Sequence, residues 1–445
     1  MINYFLLAIT AMFVVINFLI SDKDFLHPAV LFCLTFFASV VMCILNQESY
    51  AISFSGETFI VLTIGFICMT VINYLFNHGG KSIRSFTDMG EIHVPAVIEI
   101  FALVIQVLAT YYFWVYLRNL SLANGSGLKL SEMIATFDNL SKFQQDTLYS
   151  LHVTIPMVFR ICNPISEVIG YIALYFFIHN FLAAKKIDFL PLLSILLLII
   201  SCLMSGSRSP LFRIFTFAII QIYIYRLKQH KHFKISYKTF LICSVVIIVA
   251  WIIAFSSMKF MGRDVSHVNI KEYIFIYLGS PLLNLDTFIR SHSILAIGQA
   301  GPGLFGSQTF GTLYAYIAKL LKLPYPHIEN LHVFIQSPNG IDTGNVYTTY
   351  MPFIYDFGIF GMIPAVLFMC FYYVYSYKII MKCQTNKGYF ELFIYAYLFN
   401  DLLMLPFASR FYNTILSPGF IKFFLISVIL WLINRKKSVV KILNG

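Results

Sequence analysis

A few arginines, acids and histidines carry what chemistry this 445-residue chain can do, and they are unevenly placed. The turn Ser205-Gly-Ser-Arg-Ser-Pro210 sets Arg208 beside hydroxyls and free backbone amides, with Gly206 permitting a tight bend and Pro210 starting the next helix. Such a turn can receive an anion, although a plain hairpin between helices would read the same way. Arg160, Asn163 and Glu167 follow i, i+3, i+7 spacing, which puts them on one face of a helix where they could line a single cavity. Asp356 is expected about one turn inside a helix that opens at Pro352, and Asp401 and Glu99 are further acids within apolar stretches. A carboxylate in a bilayer is expensive unless it faces a partner or a wet cavity, so each of these is either paired or used.

The elements that hold these residues are membrane helices. Hydrophobic residues make up 59% of the chain and charged residues 11%, too little polar surface to solvate a globule of this length. Apolar stretches of roughly 17 to 25 residues without strict alternation indicate helices rather than a barrel. About eleven spans are expected, near 2–20, 28–45, 58–76, 94–116, 160–182, 189–204, 211–226, 239–256, 352–377, 390–409 and 419–433. The first stretch has no basic leader or cleavage pattern and reads as a retained helix. The expected organisation is helices one to eight over 1–256, an external loop over 257–349, and three more helices with a basic tail over 350–445.

Basic clusters orient the chain. Arg226, Lys228, Lys231, Lys234 and Lys238 share one short loop, and Arg435, Lys436, Lys437 and Lys441 form the tail; both are expected in the cytoplasm. Lys185 with Lys186, Lys81 with Arg84, and Lys378, Lys382 and Lys387 then fall on the same side, leaving the N-terminus, 117–159, 205–210 and 257–349 external. This rule accounts for most of the net charge of +11, so nucleic acid is not implied. Lysine follows the rule, with 14 of 21 inside, but seven of ten arginines lie at or beyond the outer face: Arg118, Arg160, Arg208, Arg213, Arg263, Arg290 and Arg410. A guanidinium fork matches phosphate oxygens in pairs, so this mouth suits a phosphate or diphosphate.

The 257–349 loop reads as a folded lid. Lys271 to Ser280 is amphipathic and aromatic, and Gly298, Gly301, Gly303, Gly306 and Gly311 make the following stretch irregular. It holds His267, His292, His327 and His332, a residue type suited to taking a proton from a sugar hydroxyl. The eight cysteines are scattered without a paired motif, which indicates neither a disulfide framework nor a metal ribbon.

Asn345-Val-Tyr-Thr followed by Pro352, Phe353, Asp356, Phe357, Gly358 and Gly361 resembles the late signature of the Wzy-type O-antigen polymerases, which join oligosaccharide repeat units. The Gly206-Ser-Arg208 turn is similar to an earlier element of that family, and the layout of helices with a large late external loop agrees over nearly the whole length. His292-Ser293 followed by Gly303-Leu-Phe-Gly306 is similar to the external-loop pattern of the related O-antigen ligases. The interval from Arg290 to Gly301 fits a loop pattern of some polymerases, with one match where two would be expected.

The resemblance implies an all-α polytopic, GT-C-like fold in the bacterial inner membrane, with the N-terminus external and the C-terminus cytoplasmic. It implies a glycosyltransferase that moves a growing polysaccharide from undecaprenyl diphosphate to the distal sugar of a new lipid-linked repeat unit. Arg208, Arg290 and Arg160 would neutralise the departing diphosphate, and a base among Glu167, Asp356 and His292 would take the hydroxyl proton. Asn345, Tyr347, Thr348 and Asn163 would bind substrate, with Tyr347 and Tyr350 placed to stack on sugars. A chain-length regulator and a repeat-unit flippase are the implied partners. No cofactor or divalent metal is expected, because the chain's Asp-x-Asp, Asp22-Lys-Asp24, falls on the cytoplasmic side. The alternatives are an O-antigen ligase acting on lipid A core and, in a different class, a flippase or transporter of an anionic lipid-linked sugar.

Overall fold

The computed structural model describes residues 2–77, 91–229, 270–295, 305–323, 333–383 and 386–443. Among them, regular structure is helical apart from one two-stranded antiparallel ribbon. Among the described residues, seven helices are long and apolar enough to cross a membrane: α1 (Ile2–Ile20), α2 (Pro28–Leu45), α3 (Gly56–Asn77), α4 (Ala96–Ala123), α7 (Met157–Ala184), α9 (Ser209–Gln229) and α13 (Tyr350–Lys382). Two shorter apolar helices join them, α8 (Phe189–Met204) and the first part of α16 (Pro418–Leu443). The chain is an all-α polytopic membrane protein. The expected span at 239–256, the cations Lys81, Arg84, Lys231, Lys234, Lys238 and Arg263, and His267, His327 and His332 lie outside the described residues.

Two compact units make up the chain, each from two separated stretches. The first contains residues 1–84 and 268–421. Here α1 packs on α2 and α3, and α13 packs on α3 and on α14 (Asn386–Leu403). Buried amides tie the first three helices. Asn17 donates to the Thr70 hydroxyl at 2.8 Å, and Asn73 donates to Asn17 Oδ1 at 2.9 Å and to the Ser21 hydroxyl at 3.1 Å. Hydrogen bonds between spans stabilise packing where apolar burial against lipid adds little. Asp24 belongs to the same end. One of its oxygens accepts from the Tyr377 hydroxyl at 2.6 Å and the other from the Leu26 amide at 3.2 Å, so its carboxylate joins a turn to α13.

The late loop contributes core to this unit. It forms α10 (Ile270–Leu278), α11 (Ser280–Ser291), α12 (Gly311–Leu321), β1 (Ile335–Gln336) and β2 (Asp342–Gly344). Pro281 starts α11, and Leu282, Leu283, Leu285, Phe288 and Ile289 are buried against α2, α3 and β2. The helix expected over 390–409 stops at Leu403, because Pro406 disfavours helical geometry at Leu405; the freed Leu405 carbonyl accepts the Thr349 amide at 2.8 Å.

The second unit contains residues 85–267 and 422–445. In it α4, α7 and α8 pack together, and α9 packs on α7. Gln106 is fully buried at their meeting point. It donates to the carbonyls of Ser166 at 3.3 Å and Ser194 at 3.2 Å and accepts from the Ser194 hydroxyl at 2.7 Å. The 117–159 stretch, expected as a plain connection, carries α5 (Leu130–Phe143) and α6 (Gln145–Ser150).

Candidate active site at a broken helix

Helix α13 is interrupted inside the Asn345–Gly361 run. Gly358 has φ 63° and ψ −176°, a conformation essentially reserved for glycine, so the chain turns out of the helix there and re-enters at Ile359. The Ile359 amide, freed from the helical ladder, donates to the carbonyl of Ile294 at 2.7 Å. That bond fixes the segment just after α11 against the break. The helix begins at Tyr350, two residues before the expected Pro352.

Asp356 sits two residues before the break and is 2% exposed. Its oxygens accept from the Gln308 amide at 3.1 Å, the Thr309 amide at 2.7 Å and the Ser307 hydroxyl at 3.4 Å. This carboxylate therefore organises the turn after Gly306, whose φ of +73° needs a glycine. All three donors come from residues 307–309, so the carboxylate's described bonds are spent on holding this turn.

His292 caps the C-terminus of α11, half-buried, with its ring stacked on Phe288 at 4.2 Å between centroids. Its Nδ1 lies 3.1 Å from the Phe288 carbonyl, which can only accept. The Ser291 hydroxyl, which can donate or accept, is 2.9 Å from the same nitrogen; in the tautomer that donates from Nδ1 to the carbonyl, Nε2 keeps a lone pair, the arrangement a general base requires. Tyr355 stands edge-on to His292 at 6.1 Å, and Phe288 also meets Tyr347 at 6.3 Å. The imidazole thus has one stacked partner on its own helix and one edge-on partner from the Asn345–Gly361 run.

Arg290 is two residues before His292, with its side chain half exposed. Its Nε donates to Asp286 Oδ2 at 2.7 Å and Nη2 donates to the Ser53 carbonyl, which aims the guanidinium and occupies part of its fork. Asp286 Oδ1 in turn accepts from the Ser55 amide at 2.7 Å, the Ser55 hydroxyl at 2.8 Å and the Thr58 hydroxyl at 2.7 Å.

Asn345 is half-buried at the end of the ribbon. Its neighbours are clamped by Asn284, which donates to the carbonyls of Thr343 at 3.3 Å and Val346 at 2.9 Å and accepts from the Thr343 hydroxyl at 2.7 Å. Tyr347 is 2% exposed and donates to the Val333 carbonyl at 3.2 Å; burial pushes its phenol up to about 12. Thr348 is fully buried and its hydroxyl accepts the Tyr350 amide at 3.3 Å, so it shapes the helix start rather than facing solvent. Tyr350 is likewise fully buried, stacked on Phe36 at 5.3 Å, and is no sugar platform in this structure.

The remaining candidates belong to the second unit. Arg160 is exposed in the first turn of α7, and Asn163 and Glu167 are half-buried further along it. Glu167 and Arg213 both lie close enough to Cys202 to act on it electrostatically. Arg208 is half-buried in a turn held by the Ser205 hydroxyl, which donates to the Cys202 carbonyl at 2.7 Å and accepts the Ser207 amide at 3.3 Å. Gly206 has φ +67°, and a Cβ there would come within 2.8 Å of Asp138 Cβ on α5. Among the described residues, no group of three His, Cys, Asp or Glu side chains could hold a metal ion.

Asn284, Asp286 and Asp138 are the site-building residues that sequence reasoning missed. Two sit on α11 within the late loop, and Asp138 lies on α5 within the 117–159 connection. No family model, curated protein or solved structure matches the chain.

Proposed function

We propose that this protein is a membrane glycosyltransferase that joins lipid-diphosphate-linked oligosaccharide repeat units, a polymerase of the O-antigen type. The observation that carries the reading is His292. Its Nε2 is free to accept a proton when Nδ1 donates to the Phe288 carbonyl, its ring stacks on Phe288 with Tyr355 edge-on, and Arg290 is two residues away, with the following segment bound to the broken helix of the Asn345–Gly361 run.

In this reading the acceptor sugar lies beside His292, whose ring is backed by buried Phe288 and Tyr355, and Nε2 of His292 takes the proton of its attacking hydroxyl as the new glycosidic bond forms. The bond to the donor diphosphate breaks, and the departing charge is met by Arg290, held ready by Asp286; the sequence resemblance implies the same role for Arg208. Asp356 keeps the 305–310 turn in place and does not act as the base. The chemistry belongs on the outer face, with the basic tail and lysine loops in the cytoplasm. Its partners are undecaprenyl-diphosphate-linked glycan, a chain-length regulator and a repeat-unit flippase.

The test uses purified protein in detergent with a lipid-diphosphate-linked repeat unit and EDTA, and follows product length on a gel beside the Arg208→Ala and His292→Ala variants. A ladder that both variants lose supports polymerisation. Transfer only after lipid A core is added makes the protein a ligase, and movement of the lipid between leaflets without glycan transfer makes it a transporter.

A further inference from the structure

The second unit also holds an apolar groove of about 180 Å³, walled by Ile98, Ala102 and Ile105 of α4, Ile169 and Ala173 of α7, and α8, and bordered by Leu430 of α16. It opens beside the face of α4 where Val97, Ile100, Phe101 and Val104 are exposed. In a helix long and apolar enough to cross a membrane, that face meets acyl chains, so chain rather than water fills the groove.

One carboxylate lines this apolar space. Glu99 is half-buried in the first turn of α4 and makes no hydrogen bond or ion pair with a side chain among the described residues. Lys186, a cation that acts on it electrostatically, is paired elsewhere, 3.3 Å from Asp188 and 3.6 Å from Glu91. Ser194, the other polar residue of the lining, is already committed to Gln106. The groove thus presents alkyl walls and one negative acceptor, within a surrounding that carries two further carboxylates.

We propose that this groove is a lipid site that takes an acyl chain of a phospholipid whose primary ammonium headgroup donates to the Glu99 carboxylate. An ammonium makes charge-assisted hydrogen bonds to a carboxylate, a trimethylammonium has no N–H to donate, and an anionic headgroup or a polyprenyl phosphate is repelled by Glu99. The occupant is therefore of the phosphatidylethanolamine type. This site does not depend on the glycosyltransferase reading, because its readout is lipid retention and not transfer.

The experiment is native mass spectrometry of the full chain released from detergent with phosphatidylethanolamine, phosphatidylcholine or phosphatidylglycerol of identical acyl chains, and with a polyprenyl phosphate. The ethanolamine lipid is expected to be retained about tenfold more strongly than the choline lipid, and the near-isosteric Glu99→Gln variant to lose that preference. Ala173→Phe, which fills the groove, is expected to reduce retention of every lipid; if it does not fold, Glu99→Gln decides alone. Equal retention of ethanolamine and choline lipids, a preference that survives Glu99→Gln, or tighter retention of the anionic lipids overturns the proposal.

Discussion

Arg290 Nε donates to Asp286 Oδ2 at 2.7 Å, one turn back along the same helix, while the other oxygen of Asp286 collects three donors from the start of α3. One buried carboxylate thus fastens α11 to residues 53–58 and fixes the Arg290 guanidinium there. Asp286→Ala should lower stability by about 3 kcal/mol, since it strands the Ser55 and Thr58 donors and frees the guanidinium. Denaturant unfolding in detergent would measure it. Ser55→Ala, which leaves the ion pair intact, should cost about 1 kcal/mol.

His292 and Asp356 separate by what each variant should lose. His292→Ala is expected to lower the transfer rate by about 10²–10⁴-fold with little change in unfolding, as for a general base. Asp356→Ala removes the acceptor of two buried amides and should destabilise the protein by about 2 kcal/mol or more. Rate and unfolding midpoint measured on both variants would reveal whether the roles are reversed.

The break in α13 depends on Gly358. Alanine at φ 63° and ψ −176° should cost about 1–3 kcal/mol, and relaxing to a continuous helix would sacrifice the bond from the Ile359 amide to Ile294. Gly358→Ala should therefore expose the 292–295 segment to faster amide exchange, visible by mass spectrometry.

Gly65 admits Tyr350. A Cβ on Gly65 would overlap the Tyr350 hydroxyl, which is buried and makes no hydrogen bond among the described residues. Tyr350→Phe alone should be neutral or slightly stabilising, while Gly65→Ala should destabilise by about 1–3 kcal/mol. The double variant should recover part of that loss, a coupling that a thermal-unfolding double-mutant cycle would read directly.

Alkaline pH should act on Tyr347. Burial raises its phenol to about 12, so between about 10 and about 12 the unfolded chain loses this proton while the folded chain keeps it. The unfolded state then binds fewer protons, and stability falls as pH rises through that window. Tyr347→Phe should lessen the fall without changing stability's dependence on pH below 9, as unfolding midpoints across the range would show.

The membrane class was legible in the sequence because a spanning helix satisfies its own backbone, so length and apolar content within one segment are enough to specify it. The helices at Ile2–Ile20, Pro28–Leu45 and Phe189–Met204 fall where the apolar runs place them. Gly206 as the turn beside Arg208 was also readable, since a tight bend is a local demand. The tertiary structure alone decided which polar residues hold the candidate site. Asp286 finds its donors at Ser55 and Thr58, Asn284 clamps a strand about sixty residues on, and Asp356 is taken up by amides of a distant turn. Local periodicity reports which face of a helix is apolar, but the partner of a buried polar group is set by where the chain returns, and hydrogen-bond satisfaction is settled only when those returning segments meet.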